Sequence, residues 1–174
     1  MSKIIDDLRP DNQVPLITGG SKGIGLGIAS CFVEAGAKVL ICARREKELE
    51  AAATQLGDAA DYIAFDVSGN KDFRIPIKHA IDKFGSLSIL VNNAGHNISK
   101  ATEQLTEKEF NLIVKTQFYG AFKLCREAIP YLRKTNFGSR LFTVSKAALA
   151  GQLRMIAYAA SKYAYLGMIK SFGN

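Results

Sequence analysis

A glycine cluster between a short apolar run and a helical pattern constrains the fold more than any other feature of this sequence. The apolar run is Val14–Thr18, the cluster is Thr18-Gly-Gly-Ser-Lys-Gly-Ile-Gly25, and the helical pattern covers Gly23–Ala35. Glycine is needed where a chain turns sharply and brings its backbone close to a pyrophosphate, and the amides at a helix N-terminus then face the phosphates. A glycine cluster alone can be a simple tight turn, but one between a strand and a helix predicts a nucleotide-binding site.

Short apolar runs and helical patterns alternate along the rest of the chain, and such runs fit strands that are buried on both faces. Beyond the first run, strands are predicted at Lys38–Ala43, Tyr62–Phe65, Ile89–Val91 and Leu141–Val144. Beyond the first helix, helices are predicted at Glu46–Leu56, at 72–84, from Thr106 towards Leu132, and at Met155–Phe172. The alternation predicts an α/β fold in a single domain, residues 1–174. Its expected form is a Rossmann-type doubly wound parallel sheet in three α/β/α layers.

Prolines and one capping motif refine the boundaries. Pro15 is acceptable only if the first strand begins there, because a central strand needs its amide donors. Pro76 is expected near the start of its helix or at a kink, and Pro130 predicts a break near the end of the long helix. Thr106 and Glu109 have the spacing of a capping box that opens this helix.

Composition excludes several classes of protein. The chain has 174 residues, 48% of them apolar and 22% charged, which is the range of globular domains rather than of disordered or fibrous chains. No run approaches 18 apolar residues, and Met1–Gln13 lacks the apolar core of a signal peptide, so a cytoplasmic location is the default expectation. The cysteines and the two histidines lack ligand spacing, so no metal site is expected. Cys31 and Cys42 have apolar neighbours and are predicted to be small core residues.

Positive charge is concentrated in the second part of the chain. Residues 1–109 hold 13 Lys/Arg and 15 Asp/Glu, a net −2, whereas residues 110–174 hold 10 Lys/Arg and only Glu127, a net +9. This excess of positive charge has three interpretations: a nucleic-acid-binding surface, a solvated face, or a surface that pairs with acidic sequence absent from this chain. No interleaving of aromatic and basic residues supports the nucleic-acid interpretation.

Three motifs in order resemble the classical short-chain dehydrogenase/reductase family. They are TGGSKGIG, the segment Asn92-Asn93-Ala94-Gly95 after the fourth strand, and Tyr158-x-x-x-Lys162, and the resemblance runs from about residue 11 to residue 172. Each motif alone is weak, but together they are specific. Tropinone-reductase-like and gluconate-dehydrogenase-like members look most similar, with members that act on 3-oxoacyl thioesters nearly as similar.

The resemblance implies a catalytic set of Ser145, Tyr158, Lys162 and Gln117. Tyr158 and Lys162 are four residues apart in a helical pattern and therefore share a face. Reduction of a carbonyl needs a proton donor beside the oxygen, and a neighbouring ammonium favours the phenolate form of a tyrosine. Ser145, thirteen residues before Tyr158, would bond the substrate oxygen. Gln117 stands where the family has an asparagine that holds a water for proton relay, and its extra methylene shifts either the amide or the water.

The cofactor implied by the resemblance is NADP(H). No acidic residue ends the second strand to bond a ribose 2′-hydroxyl, whereas Arg44 and Lys22 are placed to meet a 2′-phosphate. The alternative is that these basic residues are merely solvated. Asp66 and the backbone of Val67 would contact the adenine. The expected cofactor-binding residues are Gly19, Ser21, Lys22, Gly23, Ile24, Gly25, Arg44, Asp66, Val67, Asn93, Ala94, Gly95, Tyr158 and Lys162.

The predicted function is therefore hydride transfer between NADPH and a ketone or secondary alcohol. The resemblance also implies two further strands after Asn174, so that Leu141–Val144 forms an open sheet edge, and a homodimer or homotetramer built on the long helix and Met155–Phe172. Whether the chain is a fragment or naturally short stays open. The early end and Gln117 favour an alternative function, a non-catalytic nucleotide-binding or regulatory protein. Arg140, at the start of the fifth strand, has no explanation from sequence.

Overall fold

A five-stranded parallel sheet forms the centre of the molecule. The computed structural model describes residues 13–172. The strands are β1 Pro15–Thr18, β2 Val39–Ala43, β3 Ala60–Ala64, β4 Ile89–Asn92 and β5 Ser139–Phe142, and their order in the sheet is β3-β2-β1-β4-β5. The chain moves outward from β1 through β2 to β3 and then returns to pair β4 on the other side of β1. The predicted doubly wound sheet is thus confirmed, with its switch point between β1 and β4.

Helices cover both faces of the sheet. They are α1 Gly23–Glu34, α2 Glu46–Leu56, α3 Arg74–Phe84, α4 Glu107–Val114, α5 Gly120–Leu132, α6 Ala147–Ala150 and α7 Ile156–Phe172, with a short 3₁₀ turn at Thr102–Gln104. Successive strand residues point to opposite faces, so Leu16 packs with α3 and α5 while Ile17 packs with α1 and α2. Both are fully buried, as the continuous apolar strands predict.

Two strands lie slightly earlier than their apolar runs predict. β5 ends at Phe142 rather than at Val144, because its partner β4 ends at Asn92, which pairs with Phe142. β3 begins at Ala60, since the ladder with β2 starts at the pair Val39 and Ala60. Pairing with a neighbouring strand, rather than local hydropathy, therefore sets these boundaries. β5 lies at the edge of the described sheet, as expected.

The predicted long helix contains an interruption. A capping box joins Thr106 and Glu109 as expected, but a π-helical turn at Lys115–Tyr119 separates α4 from α5. The break predicted at Pro130 is wrong, because α5 continues to Leu132 with the proline inside its last turn. Only one backbone hydrogen bond is lost so close to a helix end, which makes the proline tolerable there. Pro15 begins β1 and Pro76 lies in the first turn of α3, as predicted.

The cysteines are all free thiols, and one of them is not in the core. Cys31 lies on the exposed side of α1, so its prediction as a core residue is wrong. Cys42 and Cys125 are buried, and burial raises the pKa of their thiols to about 12 and about 11. The prediction drawn from Met1–Gln13 falls almost entirely outside the described residues, and the cytoplasmic location stays a prediction. Among the helices of residues 13–172, none has the length and hydropathy of a membrane span.

Candidate active site

A cleft of about 600 Å³ opens where β1, β2 and β4 end, at the switch point of the sheet. This volume lies in the ordinary range for ligand sites in proteins. The predicted residues that line it are Gly19, Ser21, Lys22, Ile24, Gly25, Arg44, Asp66, Val67, Asn93, Ala94, Gly95, Ser145, Tyr158 and Lys162. The fold therefore gathers residues that are up to 143 positions apart, from Gly19 to Lys162, on one cavity.

The glycine turn at the start of the cleft requires its glycines for steric reasons. Gly19 has φ +66°, and its amide donates to the Cys42 carbonyl at 2.7 Å. A Cβ at Gly25 would overlap the Gly19 carbonyl oxygen and lie 2.6 Å from Asn93 Nδ2. The backbone of the turn is thus packed closely against the rest of the chain, and side chains at these positions would not fit. The N-terminus of α1 faces the cleft, and a helix N-terminus is a favourable site for a phosphate group.

Thr18 joins the end of β1 to the segment after β4. Its hydroxyl donates to the Val91 carbonyl at 3.1 Å and accepts the amides of Asn93 and Ala94, each at 3.0 Å. Asn93 Nδ2 in turn donates to the Thr18 carbonyl at 3.0 Å. Thr143, just after β5, donates its hydroxyl to Asn93 Oδ1 at 3.1 Å. Side-chain hydrogen bonds therefore connect the ends of three neighbouring strands beneath the cleft.

Four charged side chains lie at the end of the cleft nearest α2. Lys22, Arg44 and Arg45 carry positive charge there, and Glu48 is an acidic lining residue that the sequence analysis did not identify. Arg45 Nη2 donates to Glu48 Oε2 at 2.7 Å. This hydrogen bond from Arg45, aided by the charge of Lys22, holds the pKa of Glu48 below its usual value. The formal charge of the four groups is +2, which suits an anionic ligand group.

Asp66 lines the cleft just beyond β3. Its Oδ1 accepts the amide and the hydroxyl of Ser68, at 2.8 and 2.7 Å. These two bonds fix the turn that follows β3 and present the backbone of Val67 to the cavity. The predicted contact of this pair with an adenine stays a prediction.

The three residues expected to carry the chemistry all line this cleft. Ser145 and Tyr158 are half-buried, and Lys162 is 3% exposed. Lys162 Nζ donates to the Thr143 carbonyl at 2.6 Å and lies 5.8 Å from the centre of the Tyr158 ring. Burial lowers the pKa of Lys162 to about 8. A cation held on a carbonyl oxygen beside a tyrosine in a cavity can favour the ionised form of that tyrosine and so support proton transfer.

Gln117 and Gly23 are the two predicted residues that are not among the lining residues of the described chain. Gln117 lies in the π-helical turn and is fully buried. Its Nε2 donates to the His96 carbonyl at 2.7 Å, and a Cβ at Gly95 would lie 3.3 Å from its side chain. Gln117 therefore supports the cleft wall at Gly95 and His96 from behind, and its catalytic role stays a prediction.

Several lining residues were missed from sequence. They include His96 and Asn97, directly after the Asn-Asn-Ala-Gly motif, and Gln152 and Met155, shortly before α7. Their position beside recognised motifs is the signal that would have found the first pair. Burial, and then the charge of Arg44, lowers the pKa of His96. Within residues 13–172 no group of three or more His, Cys, Asp or Glu is arranged to hold a metal ion.

Comparison with known proteins gives consistent matches. The family model described as short chain dehydrogenase matches residues 13–174. L-fucose dehydrogenase of Oryctolagus cuniculus is 34% identical over 160 residues, which are 91% of this chain and 56% of the relative. A 3-oxoacyl-[acyl-carrier-protein] reductase of Vibrio cholerae is 32% identical over 92% of this chain and 66% of the relative.

A solved structure agrees with these sequence matches. The crystal structure of a 3-ketoacyl-(acyl-carrier-protein) reductase from Brucella melitensis, complexed with NADH, superposes with a TM-score of 0.87 and 32% identity. It covers 91% of this chain and 67% of that protein. The chain thus spans little more than half of the L-fucose dehydrogenase and about two thirds of the two reductases.

Proposed function

The chain belongs to the short chain dehydrogenase family, and from this we propose that it is an oxidoreductase that interconverts a ketone and a secondary alcohol with NADP(H). The observation that carries the proposal is the convergence of Ser145, Tyr158 and Lys162 on the same cavity as the glycine turn. A nucleotide site and a proton-transfer site in one cleft are what such a reaction needs.

The residues at the chemical end have distinct tasks. The Tyr158 hydroxyl gives its proton to the substrate oxygen during reduction and takes it back during oxidation, while Ser145 donates a hydrogen bond to that oxygen. The Lys162 ammonium favours the phenolate of Tyr158 and would hold the ribose of a bound cofactor. A bound nicotinamide supplies or accepts the hydride. General acid–base catalysis of this kind contributes about 10²–10⁴-fold to the rate.

The charges near α2 support NADP(H) over NAD(H). Lys22 and Arg44 line the cleft, where their positive charges would favour a 2′-phosphate, and Arg45 offsets the charge of Glu48. A guanidinium pairs with phosphate through two parallel hydrogen bonds, so its loss weakens recognition of that group. The glycine turn and the cleft volume fit the remainder of a dinucleotide.

Calorimetric titration with both cofactors tests this choice. We expect NADPH to bind at least about tenfold more tightly than NADH, and we expect Arg44→Gln to reduce that ratio. Arg133→Gln, which removes an exposed arginine outside the cleft, is the matched control and leaves the ratio unchanged. Equal affinities, or a preference for NADH, would refute the choice.

The enzyme proposal is tested by Tyr158→Phe. NADPH oxidation is followed with a panel of ketones, 3-oxoacyl thioesters and oxidised sugars, and the variant is expected to be about 10²–10⁴-fold slower than the wild type. Tyr131→Phe removes a hydroxyl from a tyrosine of α5 outside the cleft and serves as the control. Undiminished turnover in Tyr158→Phe contradicts the proposal.

A second candidate is a nucleotide-binding protein without catalytic activity. Gln117, which stands where the family has a relay asparagine, has its side-chain amide tied to the His96 carbonyl. In this case NADPH binds with the expected preference, but no member of the substrate panel is turned over by the wild type.

We further propose a homodimer or homotetramer. Large apolar side chains are exposed on α4, the π-helical turn, α5 and α7, namely Phe110, Leu112, Tyr119, Phe122, Ile156, Tyr163 and Ile169. Clustered exposure of this kind marks interaction surfaces, and closed symmetric assemblies are the usual result. Light scattering that gives a monomer at micromolar concentration would exclude this assembly.

A further inference from the structure

Lys162 lies at one end of a column of aromatic rings. Its ammonium is 4.7 Å from the centre of the Tyr165 ring, and Tyr165 makes an edge contact with Phe142 at 5.2 Å between centres. Phe142 stacks on Phe172 at 6.4 Å, and the guanidinium of Arg140 lies 4.9 Å over Phe172. Arg140 also donates to the Phe172 carbonyl at 3.2 Å. The column explains the arginine at the start of β5 and ties the edge strand to α7.

The hydroxyl of Tyr165 fixes the ring in this column. It donates to the main-chain carbonyl of Gln117, in the π-helical turn, at 2.9 Å. Tyr165 is 1% exposed, and burial raises the pKa of its hydroxyl well above the usual value. The hydroxyl is therefore neutral at neutral pH and acts as a hydrogen-bond donor. The hydroxyl end of the side chain is held by a hydrogen bond, and the face of the ring contacts the Lys162 ammonium.

The environment of Lys162 contains little else that favours a positive charge. The groups that face it are the Thr143 carbonyl after β5 and the rings of Tyr158 and Tyr165 on its own helix. Nearby titratable groups are the thiol of Cys125 on α5, beside Tyr165, and Arg140 beyond the phenylalanines. None of the salt bridges between described residues involves Lys162. The ammonium thus depends on one carbonyl oxygen and on the π-faces of two tyrosines.

We propose that Tyr165 is a positioning residue that holds the Lys162 ammonium in place and in its charged form. Its ring supplies the negative face, and its hydroxyl sets the ring orientation through the Gln117 carbonyl. The spacing 158, 162 and 165 places all three side chains on one face of α7. The functional importance of Tyr165 rests on the proposed function, which gives Lys162 its role. The contact between Tyr165 and Lys162 is observed independently of that function.

Nuclear magnetic resonance of lysine side chains tests the proposal without cofactor or substrate. Protein labelled with ¹³C-lysine gives one Cε–Hε signal per lysine, and the signal lost in Lys162→Met identifies Lys162. In the wild type we expect this signal to be shifted upfield by the Tyr165 ring and to titrate with a pKa of about 8. A Lys162 signal at the position of exposed lysines would overturn the proposal, and this observation needs no further variant.

Two substitutions separate the ring from the hydroxyl. Tyr165→Leu removes the ring, and we expect the pKa of Lys162 to fall by about 0.5–1 pH unit. Tyr165→Phe keeps the ring in edge contact with Phe142 and loses only the hydrogen bond that orients it. Most of the upfield shift therefore remains, and the pKa of Lys162 falls less than in Tyr165→Leu. Tyr163→Leu, which changes an exposed tyrosine of the same helix, is the control and leaves Lys162 unaffected.

The outcomes are distinct from those of the activity assays. An unchanged or raised pKa of Lys162 in a folded Tyr165→Leu protein would overturn the proposal, as would equal shifts in the Leu and Phe variants. If Tyr165→Leu does not fold, the wild-type upfield shift and its retention in Tyr165→Phe decide the question. A protein that shows the expected titrations but turns over no substrate would refute the enzyme and leave this inference standing.

Discussion

The hydroxyl of Thr18 makes three hydrogen bonds in the core, and its removal gives the sharpest test of how the cleft is held together. Thr18→Val keeps the shape of the side chain and removes only its hydrogen-bonding group. The Val91 carbonyl then loses its side-chain donor, and the amides of Asn93 and Ala94 lose their acceptor. Thr18 is 2% exposed, so water does not readily replace these bonds without local opening.

The size of the effect follows from this count. A net hydrogen bond contributes about 0.5–1.5 kcal/mol, and a buried group left without a partner costs about 1–3 kcal/mol. Partial relaxation of the segment after β4 offsets some of this loss. We therefore expect the free energy of unfolding to fall by about 2–4 kcal/mol, a large part of the stability of an ordinary domain. Because Asn93 and Ala94 line the cleft, NADPH affinity falls as well.

Urea denaturation followed by circular dichroism measures the change, with an unchanged m value as the sign of intact two-state unfolding. Thr18→Ser retains the oxygen and is expected to recover most of the loss. Thr54→Val is the control, since this exposed threonine bonds only the Glu50 carbonyl of its own helix. A Thr18→Val protein within about 0.5 kcal/mol of the wild type would show that the three bonds are not what holds the segment.

Two further substitutions test local features. Gly25→Ala is expected to abolish NADPH binding, because its Cβ would overlap the Gly19 carbonyl, whereas Gly27→Ala, with nothing within 4 Å, binds normally in the same titration; equal affinities would contradict the steric argument. The hydrogen bond from Lys100, followed by those from Thr106, lowers the pKa of Glu109 from 4.5 to about 2. A carboxyl with a lowered folded pKa stabilises the protein above its unfolded pKa and loses that effect as the pH falls. The melting temperature of Glu109→Gln should therefore decline less than that of the wild type between pH 5 and pH 2, and parallel declines would count against this contribution.

Local pattern was sufficient for the order of elements and for the glycine turn, which was predicted from its position between a strand and a helix. The segment Asn93–Gly95 and the pair Tyr158 and Lys162 were predicted from the family resemblance. The fold then brings these local features to one place, because parallel strands end at the same edge.

The parts that were missed depend on contacts between distant segments. β5 begins and ends where β4 offers partners, and local hydropathy does not contain that information. The π-helical turn has the same apolar spacing as the helices beside it, so periodicity does not reveal it. Glu48 reaches the cleft because α2 packs beside the glycine turn, and Cys31 is exposed because α1 turns that side outward. The direction of the Gln117 side chain is set by the His96 carbonyl, 21 residues earlier in the chain.

The hydrogen bonds that connect Thr18, Asn93, Thr143 and Lys162 depend on the register of the strands. Each of these groups belongs to the end of a different strand or to α7, and each meets its partner only when β1, β4 and β5 are aligned as observed. A slip of one residue between two strands would displace the partners by about 3.3 Å and break the sequence of bonds. A misaligned sheet would therefore leave Lys162 without its carbonyl acceptor. The chemical end of the cleft thus assembles together with the sheet, and a misregistered chain is unable to present the lysine at all.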